Sequence, residues 1–224
     1  MNKLWLIWKE AKTRRRYIVG ELIEQEENYI FKYKNPEIDD AKKVGFQYFP
    51  GFEDTSKIYE NQRLFSNITT RLPNKRREDY LDILNRYGLD VTASEFEILT
   101  ATKGRLITDN FEFVKEFDKN NIEFDIAGTS HSKDLNKCLE FIKENDKVYL
   151  IREESNVADP NAIKIVYNYG NNSYHLGYVP RYYSSYLSTL LQSSEDYSAI
   201  IKKMNIESTI KDEMMNVEVR IIFR

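Results

Sequence analysis

The chain has one cysteine, Cys138, and two histidines, His131 and His175. A single thiol excludes an internal disulfide and any cysteine metal cluster. Two imidazoles exclude a multi-histidine metal site, so no metal or cofactor is expected. No apolar stretch approaches the roughly 20 residues of a membrane helix. The opening "MNKLWLIWKEAK" has too short an apolar core for a signal peptide, and the expectation is a soluble cytoplasmic protein with no membrane partner. Positive charge is not in excess either: the formal net charge is −3 and neither half is basic, which argues against a long nucleic-acid footprint. The nucleotide and catalytic signatures are absent, with no GxxxxGK loop, no GxGxxG opening a helix, no HRD, no DFG and no GxSxG. The chain is read as a non-enzymatic protein.

What the chain does have is aromatic residues. Sixteen Tyr and twelve Phe favour a sheet-rich fold, because such side chains suit a pleated, half-buried surface. In the first half "KLWLIWK", "YIVGELIEQ" and "ENYIFKYK" read as strands, and "VGFQYFPGF" as a short strand entering a loop after "PEIDD" breaks the pattern. Ile58, Leu64, Phe65 and Ile68 fall on one helical face. Tyr80, Leu81, Ile83 and Leu84 form a second stripe that stops at Gly88. A third helix is expected to be capped by Thr92 with Glu95 completing a capping box, and to close at Gly104. The charged "KEFDKNN" places a boundary near residue 118.

Beyond it come the strand "IEFDIAG", the helix "SKDLNKCLEFIKEND" capped by Ser132, and the strand "KVYLIRE". The strands "NAIKIVY" and "YHLGYV" pair across "NYGNNS". The helix "RYYSSYLSTLLQS" presents Tyr183, Tyr186, Leu187, Leu190 and Leu191 inward, and "YSAIIKKM" and "NVEVRIIF" complete the set. Short strands with two helices in this length predict a small barrel. The turn "NVADPN" has a mechanism: Asn156 and Asp159 are placed to bond neighbouring backbone N–H groups. Gly177 inside a strand pattern permits a close approach by another backbone or a ligand. Arg181 stands at a helix start, where it can hold an anion alongside backbone N–H groups.

The series "GTSH … DKVYLIREESNVADPNAIKIVY … HLGYVPRYYSSYLSTLL" resembles the HIRAN domain in motif order and spacing. The resemblance covers about residues 120–224 and implies a modified OB-type barrel that holds the 3′ end of single-stranded DNA. Carried over residue by residue, it implies Asp159 as acceptor for a terminal hydroxyl with Asn161 beside it. Tyr178 would be a stacking surface and Arg181 a phosphate contact, with Arg152, Ser130 and His131 completing the DNA-binding set. The chain departs from the pattern at Ala158, where the family has a stacking aromatic, and at Ser130 and His131, where it has an Arg–aromatic pair. Asn156, Asp159, Asn161 and Gly177 are also what the turn and strand geometry alone require, and His131 is equally a packed or helix-capping residue.

The first half, through "YIVGELIEQEENYIFKYKNPE", "LFSNITTRLPNKRREDYLDILNRYGLD" and "FEILTATKGRLITDNFEF", resembles the N-terminal subdomain of HipA-type kinases, without the kinase core. Two α+β domains follow: residues 1–117, a HipA-N-like small sheet plus helices, and residues 118–224, a HIRAN barrel with two helices. The principal expectation is capture of a single-stranded DNA end, with the first half a protein-interaction scaffold. The alternative is an antitoxin or adaptor that restrains a HipA-type Ser/Thr kinase toxin, with that kinase and its DNA-binding antitoxin as partners. Two basic clusters, Lys12, Arg14, Arg15 and Arg16, and Arg71, Lys75, Arg76 and Arg77, read as solvated faces, the second also as an accessory phosphate-binding patch.

Overall fold

The computed structural model describes residues 2–129, 132–193, 196–205 and 216–223. The chain divides into two compact units, Met1–Glu116 and Phe117–Arg224.

In the first unit β1 (Asn2–Lys9), β2 (Arg16–Glu24), β3 (Tyr29–Tyr33), β4 (Tyr59–Asn61) and β5 (Phe111–Lys115) form an antiparallel sheet in the order β4-β3-β2-β1-β5. Its core face carries Leu4, Leu6, Leu22, Phe31, Tyr33 and Phe113. Against it pack α1 (Glu37–Lys43) through Ile38 and Ala41, α2 (Ser66–Thr69) through Ile68, and α4 (Glu95–Thr102) through Phe96 and Leu99. A further helix, α3 (Tyr80–Arg86), buries Leu84 and leaves Leu81 exposed.

Three expectations are corrected here. The segment "EIDD", where the strand pattern breaks, begins α1. "VGFQYFPGF" is not a strand: Pro50 and Gly51 make a tight turn closed by Phe52 N–H on the Phe49 carbonyl at 2.9 Å. Gly51 has φ +90°, the value that the third position of such a turn requires, and a Cβ there would lie 2.6 Å from Asn67. The turn is held from inside by the Tyr33 hydroxyl, which donates to the Phe52 carbonyl at 2.5 Å and accepts from Phe49 N–H at 2.7 Å. Residues 57–72 hold β4 and the single turn of α2 in place of one helix, with Ile58 exposed. Leu64 and Phe65 dock on the Phe31–Phe49–Phe52 cluster, so depth of burial rather than helical period explains them. Finally, the capping box is formed by Ser94 and Glu97, two residues on from Thr92 and Glu95, because the Thr92 hydroxyl is taken by Asp90 at 2.6 Å.

Two buried ion groups lie at the β5 end. Arg71 donates to both carboxylate oxygens of Asp109 at 2.6 and 2.7 Å, and to the carbonyls of Gly104 and Phe111. Its side chain is only 4% exposed, and the guanidinium rests over the rings of Phe49 and Phe111. Arg71 therefore does not belong to a surface patch with Lys75 and Arg76, which are exposed, and Arg77 is paired with Asp79. Glu112 lies between Arg16 (3.0 Å) and Arg105 (2.5 Å). Burial pushes its carboxyl up, but the two guanidiniums outweigh this and hold it at about 2.

In the second unit β6 (Ile122–Asp125), β10 (Tyr197–Asn205) and β11 (Asn216–Phe223) form a sheet in the order β10-β11-β6. A second sheet, β7-β8-β9, consists of β7 (Val148–Arg152), β8 (Ile163–Tyr169) and β9 (Asn172–Tyr178). Single bridges, Ala127↔Tyr178 and Lys147↔Ile200, join the two sheets, and among the described residues no continuous ladder closes them into the expected barrel. The expected long helix after Ser132 is the shorter α5 (Lys133–Cys138), with Ser132 capping Leu135 N–H as anticipated. In α6 (Arg181–Gln192) the buried residues are Tyr182, Tyr183, Ser184, Leu187 and Ser188, with Leu190 and Leu191 half-buried. Tyr186 is not among them: it is 39% exposed and stacked on Phe117 at 5.0 Å.

Both tryptophans, Trp5 and Trp8, lie in β1, so their fluorescence reports on the first unit. Arg71→Leu leaves Asp109 without its partner and should cost roughly 3–5 kcal/mol in urea unfolding, against a change within about 0.5 kcal/mol for Lys75→Ala. A Glu112 carboxyl depressed to about 2 contributes stability that is complete above the ordinary Glu range and is lost as pH falls toward that value. Glu112→Gln should lower stability at neutral pH and flatten the acid limb below about pH 4.3.

Candidate nucleic-acid interface

The segment 152–161 leaves β7 and turns back into β8, and its polar side chains bond one another before anything else. Asn156 Oδ1 accepts from the N–H groups of Ala158 (3.0 Å) and Asp159 (3.1 Å), and Asp159 Oδ1 accepts from Asn161 N–H at 2.9 Å. These are the side-chain-to-backbone bonds that Asn and Asp make in turns. The second oxygen of Asp159 accepts from the Ser184 hydroxyl on α6 at 2.8 Å. From the same helix start, Arg181 Nη1 donates to the Ala158 carbonyl at 2.6 Å. The turn is thus tied twice to the first turns of α6.

Arg152 is held further along the helix, with Nε on Ser188 at 3.0 Å and Nη1 on Glu154 at 3.0 Å. Tyr178 reaches the turn from β9, where its hydroxyl donates to Glu153 Oε2 at 3.0 Å. Asp159, Asn161, Tyr178 and Arg181 therefore share one edge, each half-buried. Arg152 sits along α6 from that edge, while Ser130 and His131 lie outside the described residues.

The sequence does not single out Glu153, yet it organises this edge. It accepts from Asn156 Nδ2 at 2.7 Å and from Tyr178, and is paired with Lys164. Hydrogen bonds from Lys164 and Asn156 hold its carboxyl at about 2, and Lys164 is raised in return. The Tyr178 hydroxyl is pushed up by burial and by the Glu153 carboxylate, so it stays protonated and donating at neutral pH. The available signal was positional: Glu153 just after β7 and Lys164 in β8 flank the turn between two strands that must pair.

The ring of Tyr178 is oriented by His175, whose imidazole meets it edge-on at 4.8 Å between ring centres. The His175 Nε2 lies 3.0 Å from the Gly177 carbonyl. Gly177 has φ +145°, and a Cβ on it would stand 2.5 Å from the Ala127 carbonyl oxygen. The missing side chain admits the neighbouring backbone, as its place in the strand pattern suggested. Chemically, the edge offers a cation, a carboxylate and an aromatic face. Among the described residues no group of three His, Cys, Asp or Glu side chains is placed to hold a metal ion. No described helix is long and apolar enough to cross a membrane.

Comparison with known proteins adds the following. Residues 119–219 match the family model of the HIRAN domain. Among solved structures, the chain is similar to the HIRAN domain of human HLTF, with 15% identity over 46% of this chain and 74% of that one and a TM-score of 0.36. It is also similar to a protein from Lactobacillus plantarum, with 19% identity over 46% of this chain and 99% of that one and a TM-score of 0.33. No curated protein matches. The resemblance of residues 1–117 to the HipA N-terminal subdomain is not shown by these comparisons. Residues 119–219, the part of the chain that holds the Glu153–Asp159–Arg181 edge, are thus similar to the HIRAN domain.

Proposed function

We propose that this chain is a DNA-binding protein, not an enzyme, and that its HIRAN domain captures the 3′ end of a single strand at the edge formed by residues 156–161, Tyr178 and the start of α6. The observation that carries the reading is the double tie of the turn to α6, Ser184 to Asp159 and Arg181 to Ala158. It holds a guanidinium and a carboxylate together before any ligand arrives, and Glu153, bonded to both Asn156 and Tyr178, brings the tyrosine to the same turn. The planar fork of N–H donors on the Arg181 guanidinium matches the oxygens of a phosphate, which makes it the phosphate-binding group of this edge. Asp159 accepts the hydrogen of a terminal hydroxyl, and a 3′-phosphate would meet the same carboxylate with like charge. Tyr178 offers its face to the terminal base, with Glu153 fixing the ring from the hydroxyl end. An end-capturing site of this size explains how a chain of net charge −3 can bind DNA at all, because only one or two phosphates need neutralising.

The test is fluorescence anisotropy with short single strands bearing a free 3′-hydroxyl, a 3′-phosphate or only a free 5′ end. Binding should require the free 3′-hydroxyl, and its logarithmic salt slope should be shallow, about −0.7 per phosphate contacted. Arg181→Ala should weaken binding about tenfold. Tyr178→Ala should lose the roughly 1–3 kcal/mol of one stacked base, while Tyr178→Phe keeps most of it. Equal affinity for blunt duplex, or a steep salt dependence, would overturn the reading.

A further inference from the structure

The outer face of the β7-β8-β9 sheet has an unusual surface. β7 alternates buried Val148 and Leu150 with Tyr149 and Ile151, which are 46% and 50% exposed. A sheet with one solvated face ordinarily places polar side chains there, and large apolar ones mark a contact surface. The register aligns Tyr149, Val166 and His175 in one row across the three strands, and Ile151, Lys164 and Tyr178 in the next. His175 and Tyr178 are three residues apart and in a regular strand would face opposite sides. A bulge brings them to one side: Ile165 pairs with Gly177 and Val166 with His175, which leaves Leu176 unpaired and wholly buried.

The result is a trough of about 460 Å³. Val166 is its floor, Tyr149 and Ile151 form one wall, and His175 with Asp134 the other. The Ser173 hydroxyl bonded to Asn168 at 2.8 Å closes the far end. At the near end the row Ile151–Lys164–Tyr178 meets the candidate edge, because Lys164 and Tyr178 both bond Glu153. Trough and edge are one continuous surface.

We propose that this trough is a second subsite, which takes the nucleobases next inward from the strand terminus; the inference rests on the end-binding reading above. The chemistry favours bases over a peptide. An extended peptide adds to a sheet edge through its backbone, whereas an aromatic sheet face suits flat rings stacked on it. Tyr149 supplies such a face. The Asp134 carboxylate, which accepts from Lys137 Nζ at 2.8 Å through one oxygen, is an acceptor on the opposite wall, suited to a ring N–H such as the imide N–H of thymine. Lys164, paired with Glu153 where the two rows adjoin, supplies a cation for the phosphodiester that links terminal and inner nucleotides. The turn itself has no aromatic side chain between Asn156 and Asn161, so the stacking surface of this domain lies on the sheet.

The test uses thymidylate oligomers with a free 3′-hydroxyl, a dinucleotide and a hexanucleotide, on wild type, Tyr149→Ala and Ile151→Ser. Both side chains are exposed, so the variants should keep the wild-type circular dichroism. The wild type should bind the hexamer more tightly than the dimer. Tyr149→Ala should lose roughly 5- to 100-fold on the hexamer and stay within about twofold on the dimer. A hexamer carrying 5-iodouracil at the third position from the 3′ end should cross-link to Tyr149. If hexamer affinity is unchanged by Tyr149→Ala, or if dimer and hexamer fall equally, the second subsite is overturned while end binding stands. Tyr149-dependent binding of a 3′-phosphorylated hexamer as tight as of the free one would keep the trough and overturn end binding. No binding of any oligomer by wild type overturns both.

Discussion

The second unit depends on the approach of one backbone to another at Gly177. Tyr178 and Ala127 exchange two hydrogen bonds of 2.8 Å, the bridge that joins the two three-stranded sheets at this corner. A side chain on residue 177 would occupy the space of the Ala127 carbonyl, and its φ of +145° is itself one that glycine alone adopts readily. The same place in the chain carries the bulge that buries Leu176 and turns His175 and Tyr178 to a common face. Joining the sheets, orienting the tyrosine and opening the trough beside it are three consequences of one contact.

Around that corner, structural roles and the proposed binding roles fall on the same atoms. Asn156 and Asp159 are needed to form the turn, and Asp159 also secures it to α6 through Ser184. Their presence in the sequence is thus explained without any ligand. Arg181 differs, since a cation at a helix start sits at the positive end of the helix dipole and gains nothing from the helix. Its bond to the Ala158 carbonyl offsets part of that cost and orients the guanidinium along the turn. Glu153 has a comparable double place, as the counter-charge of Lys164 and the anchor of Tyr178.

The first unit shows why charge clusters mislead. Arg71 stands four residues before Lys75 and looks like part of the same basic run. Its partner Asp109 is 38 residues away and comes alongside only when the sheet forms. A buried guanidinium without such a partner would be severely costly, so the pairing is a condition of the fold. Arg16 likewise leaves its cluster for Glu112, far along the chain. The aromatic loop at residues 46–52 was unreadable for a related reason: its rings follow the shape of the core, and no periodicity records that shape.

Local information was legible by itself. Alternation marked β1 to β3 and β6 to β11, Ser132 marked a cap, the Asn and Asp positions marked the turn, and the motif series marked the HIRAN region. Each rests on residues near one another in sequence, where backbone preferences and side-chain period act directly. The tertiary structure alone decided that the sheets meet through single bridges, that Arg71 is internal, that Glu153 organises the edge, and that Tyr149 and Tyr178 share a face with His175. Those outcomes depend on contacts between distant segments, and on a one-residue bulge that reverses which way every later side chain on the strand points.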